Sequence, residues 1–353
     1  MLRRFESVLA TVFIFSMVFG TFPMKRYPGM SYRFSWKLYG YSIVLGLIAC
    51  IEGTYWMIAE IQYYLHSASI IISSIVFWFN IYTWVSVLIH YYLQRENLSN
   101  IVSRLYTIHC NIGITSYRRR YAVSLIFLTL FNAIPSIWYV IEDAEYFTDI
   151  FFVSTYFLFV NIPVIMACQY SVLMGLLTDQ LAFLTKQLCL PMFSFDVRQL
   201  VENHHALCIL ADRINKGFNI FLLQATAIPF VVIVVNVYII VVCIVKPEEF
   251  ADESKLLTSA LEAFVNVGII VVIVTAAKGA EESAMSFNVQ LWNNILISRT
   301  LGKDDDLKIY VFMKNSIQQT AFGFYKLDYS LLTAMTTGAL TYVIILVQFT
   351  LLR

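Results

Sequence analysis

Seven stretches of this chain, near 37–61, 68–93, 120–141, 148–173, 218–245, 256–278 and 328–352, are apolar runs of membrane-crossing length. A helix needs about 20 such residues to cross the roughly 30 Å hydrocarbon layer. Inside that layer every backbone N–H and C=O must be bonded within the chain, which a helix achieves on its own. The composition agrees: 59% of residues are hydrophobic and 13% charged, against about 25% charged in soluble proteins. The expected fold class is all-α, a polytopic membrane protein with seven transmembrane helices. An eighth run, 8–22, follows Arg3 and Arg4 and is short. No small-residue cleavage pattern follows it, so the expectation is an interfacial helix ending at Gly20 and Pro23, with an uncleaved extra span as the alternative.

Lysine and arginine orient the spans, because they stay on the cytosolic side. With the N-terminus inside, 21 of the 24 basic residues fall in cytosolic segments, leaving Lys246, Lys255 and Arg353 outside. The outer loops carry acid instead, at Glu142, Asp143, Glu145 and Asp149 and again at Glu248, Glu249, Asp252 and Glu253. The N-terminus is therefore expected in the cytosol and the C-terminus outside. That orientation excludes a receptor coupled to G proteins, whose N-terminus lies outside, and neither a D-R-Y-like triplet nor N-P-x-x-Y is present. The one sequon, Asn97-Leu98-Ser99, falls in a cytosolic loop and is expected to stay unmodified. Six cysteines form no C-x-x-C pair and no disulfide framework is expected. A net charge of +1 spread over many loops gives no footprint for nucleic acid.

Two cytosolic segments read as helices. In 174–217, Leu200, His204, Leu207, Cys208, Ala211 and Ile214 recur at spacings of three and four. In 304–326, Asp304, Asp305 and Asp306 suit a helix N-terminus, and Ile309, Met313, Ile317, Thr320 and Phe324 follow along one face. Apolar stripes need a partner, so the fourth to seventh helices are expected to project below the membrane and bundle there; the alternative is that these helices lie on the surface. The resulting division is 1–34 a cytosolic N-terminal segment, 35–173 spans one to four, 174–217 a helical extension, 218–278 spans five and six, 279–327 a second extension, and 328–353 the last span.

Polar groups inside spans cost about 2.5–3.5 kcal/mol for an acid at mid-helix, so each needs a partner. Asn132 and Tyr139 in the third span, Tyr156 in the fourth, Asn236 in the fifth, and Glu262 and Asn266 in the sixth are candidates for a small-ligand pocket in the outer half. Plain hydrogen bonding between helices is the competing role for each. Glu52, in the first span, reads as structural. In the last span, TYVIILVQF (341–349) places Thr341 and Gln348 seven apart, on one face of a helix. A polar face that repeats inside such a run looks to water or another subunit.

T-Y, five apolar residues, then Q-F resembles the terminal motif of insect gustatory receptors, carried here by Thr341, Tyr342, Gln348 and Phe349. The likeness extends to AFGFYKLDYSLL at 321–332, to the run from His205 and Leu207 through Asn219, and to Gly20-Thr21-Phe22-Pro23 and Phe34-Ser35-Trp36-Lys37. The resemblance implies a homo- or heterotetrameric, non-selective ligand-gated cation channel in the plasma membrane of chemosensory neurons. It would be opened by a small-molecule tastant, sugar or bitter, and pass monovalent and divalent cations. The last helices would surround a central pore amid membrane lipid, with Gln348, Ile345 and Phe349 facing it, and cytosolic extensions would form an anchor. A bond from Gln348 to a neighbouring helix is the alternative, and no acidic ring predicts calcium selectivity. Other functions left open are a solute carrier and an auxiliary subunit needing a co-receptor. No enzyme motif, catalytic residue, cofactor or metal site is expected, and His204-His205 reads as a solvated face.

Overall fold

The computed structural model describes residues 13–14, 16–21, 23–26, 32–64, 68–112, 127, 129, 134, 147–189, 197–245, 253–298, 301–313 and 317–351. The expected third span, 120–141, lies almost wholly outside these residues. A hairpin of β1 (Met24–Arg26) and β2 (Tyr32–Phe34) leads into α1 (Trp36–Tyr64), α2 (Ala68–Leu93) and α3 (Arg95–Ile112). Three long helices follow: α4 (Phe147–Leu188), α5 (Val197–Val245) and α6 (Glu253–Ile297). A short helix α7 (Asp305–Phe312), a second hairpin of β3 (Thr320–Ala321) and β4 (Tyr325–Lys326), and α8 (Tyr329–Leu351) complete the chain.

Among the described residues five helical stretches have the length and composition to cross a membrane: Trp36–Tyr55, Asn161–Leu188, Val197–Val245, Leu256–Ile297 and Tyr329–Phe349. At 1.5 Å per residue α4, α5 and α6 are each about 60–75 Å long, at least twice the hydrocarbon thickness. Each is therefore longer than a single crossing of that layer requires. The centre of the molecule is the middle of α4, where every residue from 161 to 178 is buried: Val164, Ile165, Met166, Ala167, Cys168, Tyr170 and Met174 are inaccessible to solvent. A helix with no polar stripe has to be buried on every side. Against it α6 presents Ala276, Ala277, Ala280 and Ala284, all buried. Small residues at such spacing let two backbones approach closely.

Polar side chains tie the helices together. Tyr91 on α2 donates to Gln169 on α4, and Ser86 donates to Gln224 of α5 at 2.7 Å. Gln180 reaches the Leu105 carbonyl of α3 at 3.2 Å. The amphipathic helix α3, with Leu98, Ile101, Val102 and Leu105 buried, was not among the expected elements. Upstream of the first hairpin, Phe13, Ser16, Phe19 and Thr21 are buried, and Phe19 meets Phe157 of α4 with ring centroids 6.2 Å apart. Gly20, at φ +67°, makes the turn there in a conformation that L side chains rarely adopt.

Two expectations are corrected. The helix over 304–326 stops at Phe312. Asp304 caps it by accepting from the N–H groups of Asp306 and Leu307, but Phe322 and Gly323 then adopt φ 52° and 77°, and the chain reverses as a hairpin. The Phe322 N–H donates to Asn219 Oδ1 at 2.5 Å, docking that turn on α5. His204, expected on a solvated face, is buried: its ring stacks on Phe287 of α6 at 4.1 Å and its Nδ1 lies 2.6 Å from the Tyr310 hydroxyl of α7. The stripe Leu200–His204–Leu207 has its partners, so the histidine follows its face inward, while His205 stays exposed.

Candidate ligand cluster and terminal helix

The candidate pocket residues fall into three groups. Asn132 and Tyr139 lie outside the described residues. Tyr156 lies on α4, but its side chain, like that of Glu52 on α1, is outside the described set. Asn236, Glu262 and Asn266 are brought together where α5 packs on α6. Asn236, buried at 4% exposure, donates from Nδ2 to Glu262 Oε2 at 3.3 Å. Asn266 donates from Nδ2 to the Glu262 backbone carbonyl one turn away at 2.8 Å. Glu262 and Asn266 are half-buried. The cluster thus joins two helices and keeps part of its polar surface accessible, as a directed ligand contact requires.

Asn236 also sits between Val234 and Val237, and these belong to the seam that α5 forms with α8. There Phe230, Val234, Val237 and Val241 pack against Ala339, Val343 and Val347. The α8 residues are four apart, one stripe of the helix. At 100° per residue, Thr341, Ile345 and Gln348 lie within about 60° of one another on the opposite face. All three are exposed, and among the described residues Thr341 bonds back to its own helix, its hydroxyl donating to the Thr337 carbonyl at 2.9 Å. Tyr342 sits between the two faces, its ring edge on Phe230 at 6.3 Å. Phe349 is 68% exposed. The repeated polar face is therefore turned away from the rest of the subunit.

Sequence reasoning missed a cavity of about 280 Å³ at the foot of α8. Leu223, Thr226, Phe230, Tyr325, Leu331 and Met335 are among its walls. The Tyr325 hydroxyl is bonded to Thr226, fixing the second hairpin to α5 there. Two of its walls, Tyr325 and Leu331, fall in the stretch AFGFYKLDYSLL, but Tyr325's partner Thr226 on α5 is 99 residues away in sequence.

A family model described as 7tm Chemosensory receptor matches residues 9–353. Putative gustatory receptor 28b of Drosophila melanogaster is 25% identical over 162 residues, 44% of this chain and 34% of that protein; the matched stretch spans about a third of that relative's length. Among solved structures, the insect olfactory receptor OR5 from Machilis hrabei in complex with eugenol superposes with a TM-score of 0.71 at 13% identity. The likeness covers 98% of this chain and 99% of that one. A second structure of the same receptor gives a TM-score of 0.68 at 13% identity, covering 99% of this chain and 98% of that one. With its long helices arranged as in that fold and nearly its whole length matched, this chain belongs to the 7tm chemosensory receptor family.

Proposed function

We propose that the chain is a gustatory receptor subunit that assembles as a tetrameric ligand-gated cation channel opened by a small-molecule tastant. One observation carries the reading: the polar face of α8 (Thr341, Gln348) points away from the seam that holds α8 to its own subunit. Four such faces around an axis would line a pore, with Ile345 supplying a ring that gates by dewetting and Gln348 amides that ease ion dehydration. The ligand would meet Asn236, Glu262 and Asn266 on one side of α5. The other side of the same turn holds Val343 of α8, so a small rotation of α5 would shift the terminal helix. OR5 is a receptor solved with eugenol, a small aromatic ligand; a tastant of similar size fits the scale of a pocket between helices. The N-terminus would lie in the cytosol, in the plasma membrane of chemosensory neurons.

Gln348→Glu tests the pore. Four carboxylates in a narrow ring attract cations, so calcium permeability relative to sodium should rise in cells expressing the variant, with agonist dependence little changed. Reversal potentials identical to wild type in sodium and calcium solutions would sink the pore-lining role.

A further inference from the structure

The first hairpin carries a charge arrangement that nothing in the ligand pocket or the terminal helix uses. In its antiparallel register Lys25 stands directly opposite Arg33, and both are exposed. Opposed residues share a face with Cβ atoms about 5 Å apart, and like charges placed so destabilise a ladder. Arg33 also lines a cleft of about 460 Å³ between this hairpin and α3, with Arg95, Ser99 and Asn100 on the other wall and Trp36 beside them. The Arg95 guanidinium lies 4.7 Å from the centroid of the Tyr92 ring, and its Nη1 donates to the Tyr92 carbonyl at 3.5 Å, so it is held at the rim. Glu96 is the one carboxylate among the described lining residues. Against Arg33 and Arg95 in the same lining it leaves one positive charge in excess, with Lys25 opposite Arg33 on the hairpin.

The position of the cleft matters as much as its charge. Trp36 opens α1 and Leu93 closes α2, so the cleft sits where both apolar runs end. Trp36, 65% exposed, packs with Phe34, Tyr39 and Tyr92 at centroid distances of 5.2–6.1 Å. Trp and Tyr gather at the level of lipid headgroups. From there, exposed apolar stripes run along both helices: Val44, Leu47, Ile48 and Ile51 on α1, and Val85, Ile89 and Leu93 on α2.

We propose that this cleft binds the phosphate of an anionic membrane lipid, with Arg33 and Arg95 on the phosphate, Ser99 and Asn100 as neutral donors, and the acyl chains along the stripes of α1 and α2. A guanidinium pair matches phosphate geometry, and the continuous apolar path favours a lipid over free phosphate. The assignment does not depend on the channel reading.

The test is native mass spectrometry of the full-length receptor extracted with mixtures of phosphatidylcholine and phosphatidylinositol 4-phosphate. Wild type should retain the anionic lipid preferentially. Arg33→Gln and Arg95→Gln should each weaken retention about fivefold and the double variant more, while Lys216→Gln, a charge loss elsewhere, should change nothing. Asn100→Glu, at an exposed wall position, keeps both arginines and should abolish the preference by repulsion, which covers the case in which the arginine variants fail to fold. Unchanged retention in the double variant or in Asn100→Glu, or equal retention of both lipids by wild type, overturns the proposal. Displacement by free inositol phosphate at concentrations matching the lipid would assign the site to a soluble phosphate and overturn the lipid source.

Discussion

Asn236 illustrates how little a single polar residue in a span says until its neighbours are known. Its amide contacts Glu262 across two helices, and the same turn of α5 carries valines that hold α8. Asn236→Ala should raise the agonist concentration for half-maximal current several-fold, since losing one hydrogen bond costs roughly 0.5–1.5 kcal/mol; Glu262→Gln should act in the same direction. Dose–response curves at matched surface expression check this, and curves superimposable on wild type would leave the cluster a helix tie only. His204 makes a second prediction. Burial against Phe287 pushes its pKa down to about 4 from an ordinary 6.5; a bond to the Ala284 backbone opposes the shift, and neighbouring His205 adds to it. The folded state keeps it neutral while the unfolded state takes up a proton below about pH 6.5, so acid favours unfolding. Stability should fall as pH drops from about 6.5 to about 4, at up to roughly 1.4 kcal/mol per pH unit from this residue. His204→Phe should flatten that part of the profile in thermal melts of detergent-solubilised protein, and an unaltered profile would remove the histidine as the cause.

At the scale of elements, helix-to-helix fit depends on positions the sequence marks only as apolar. The crossing of α1 and α2 is set by Gly46, where an added Cβ would sit 1.7 Å from a carbon of the Trp84 ring. Gly46→Ala therefore cannot be absorbed by a small shift. It should cost at least about 2 kcal/mol and lower the melting midpoint, and Trp84→Leu in the same chain should recover part of the loss; a midpoint equal to wild type would refute the close crossing. The long helices and their extensions were legible from run length and from the three-and-four spacing of Leu200, Leu207 and Ile214. Helix α3 carried the same signal at Leu98, Ile101, Val102 and Leu105, in a loop judged by its charges alone. The second hairpin was not legible as a hairpin. Its apolar residues also fit helical spacing, and it is the bond from Phe322 to Asn219, 103 residues earlier, that stabilises the turn.

At the scale of the whole molecule, the charge asymmetry predicts orientation. A tag after Arg353 should bind antibody on intact cells and a tag before Met1 only after permeabilisation; the reverse labelling would invert every side assigned to the receptor. The run lengths, the paucity of charge and the placement of basic residues follow from solvation by a bilayer, which acts on each segment separately, so the sequence by itself determined a helical membrane protein and an expected direction of insertion. The terminal motif likewise carried the family resemblance in its own residues. Which helix becomes the buried centre, which side of α8 is left open, whether His204 meets water or Phe287, and that Arg33 faces Arg95 across a cleft were decided only by the tertiary structure. Those outcomes depend on contacts between residues tens to more than a hundred positions apart, and once water and lipid are excluded from a seam, it is the shape of the facing helix that determines which side chains lie inside.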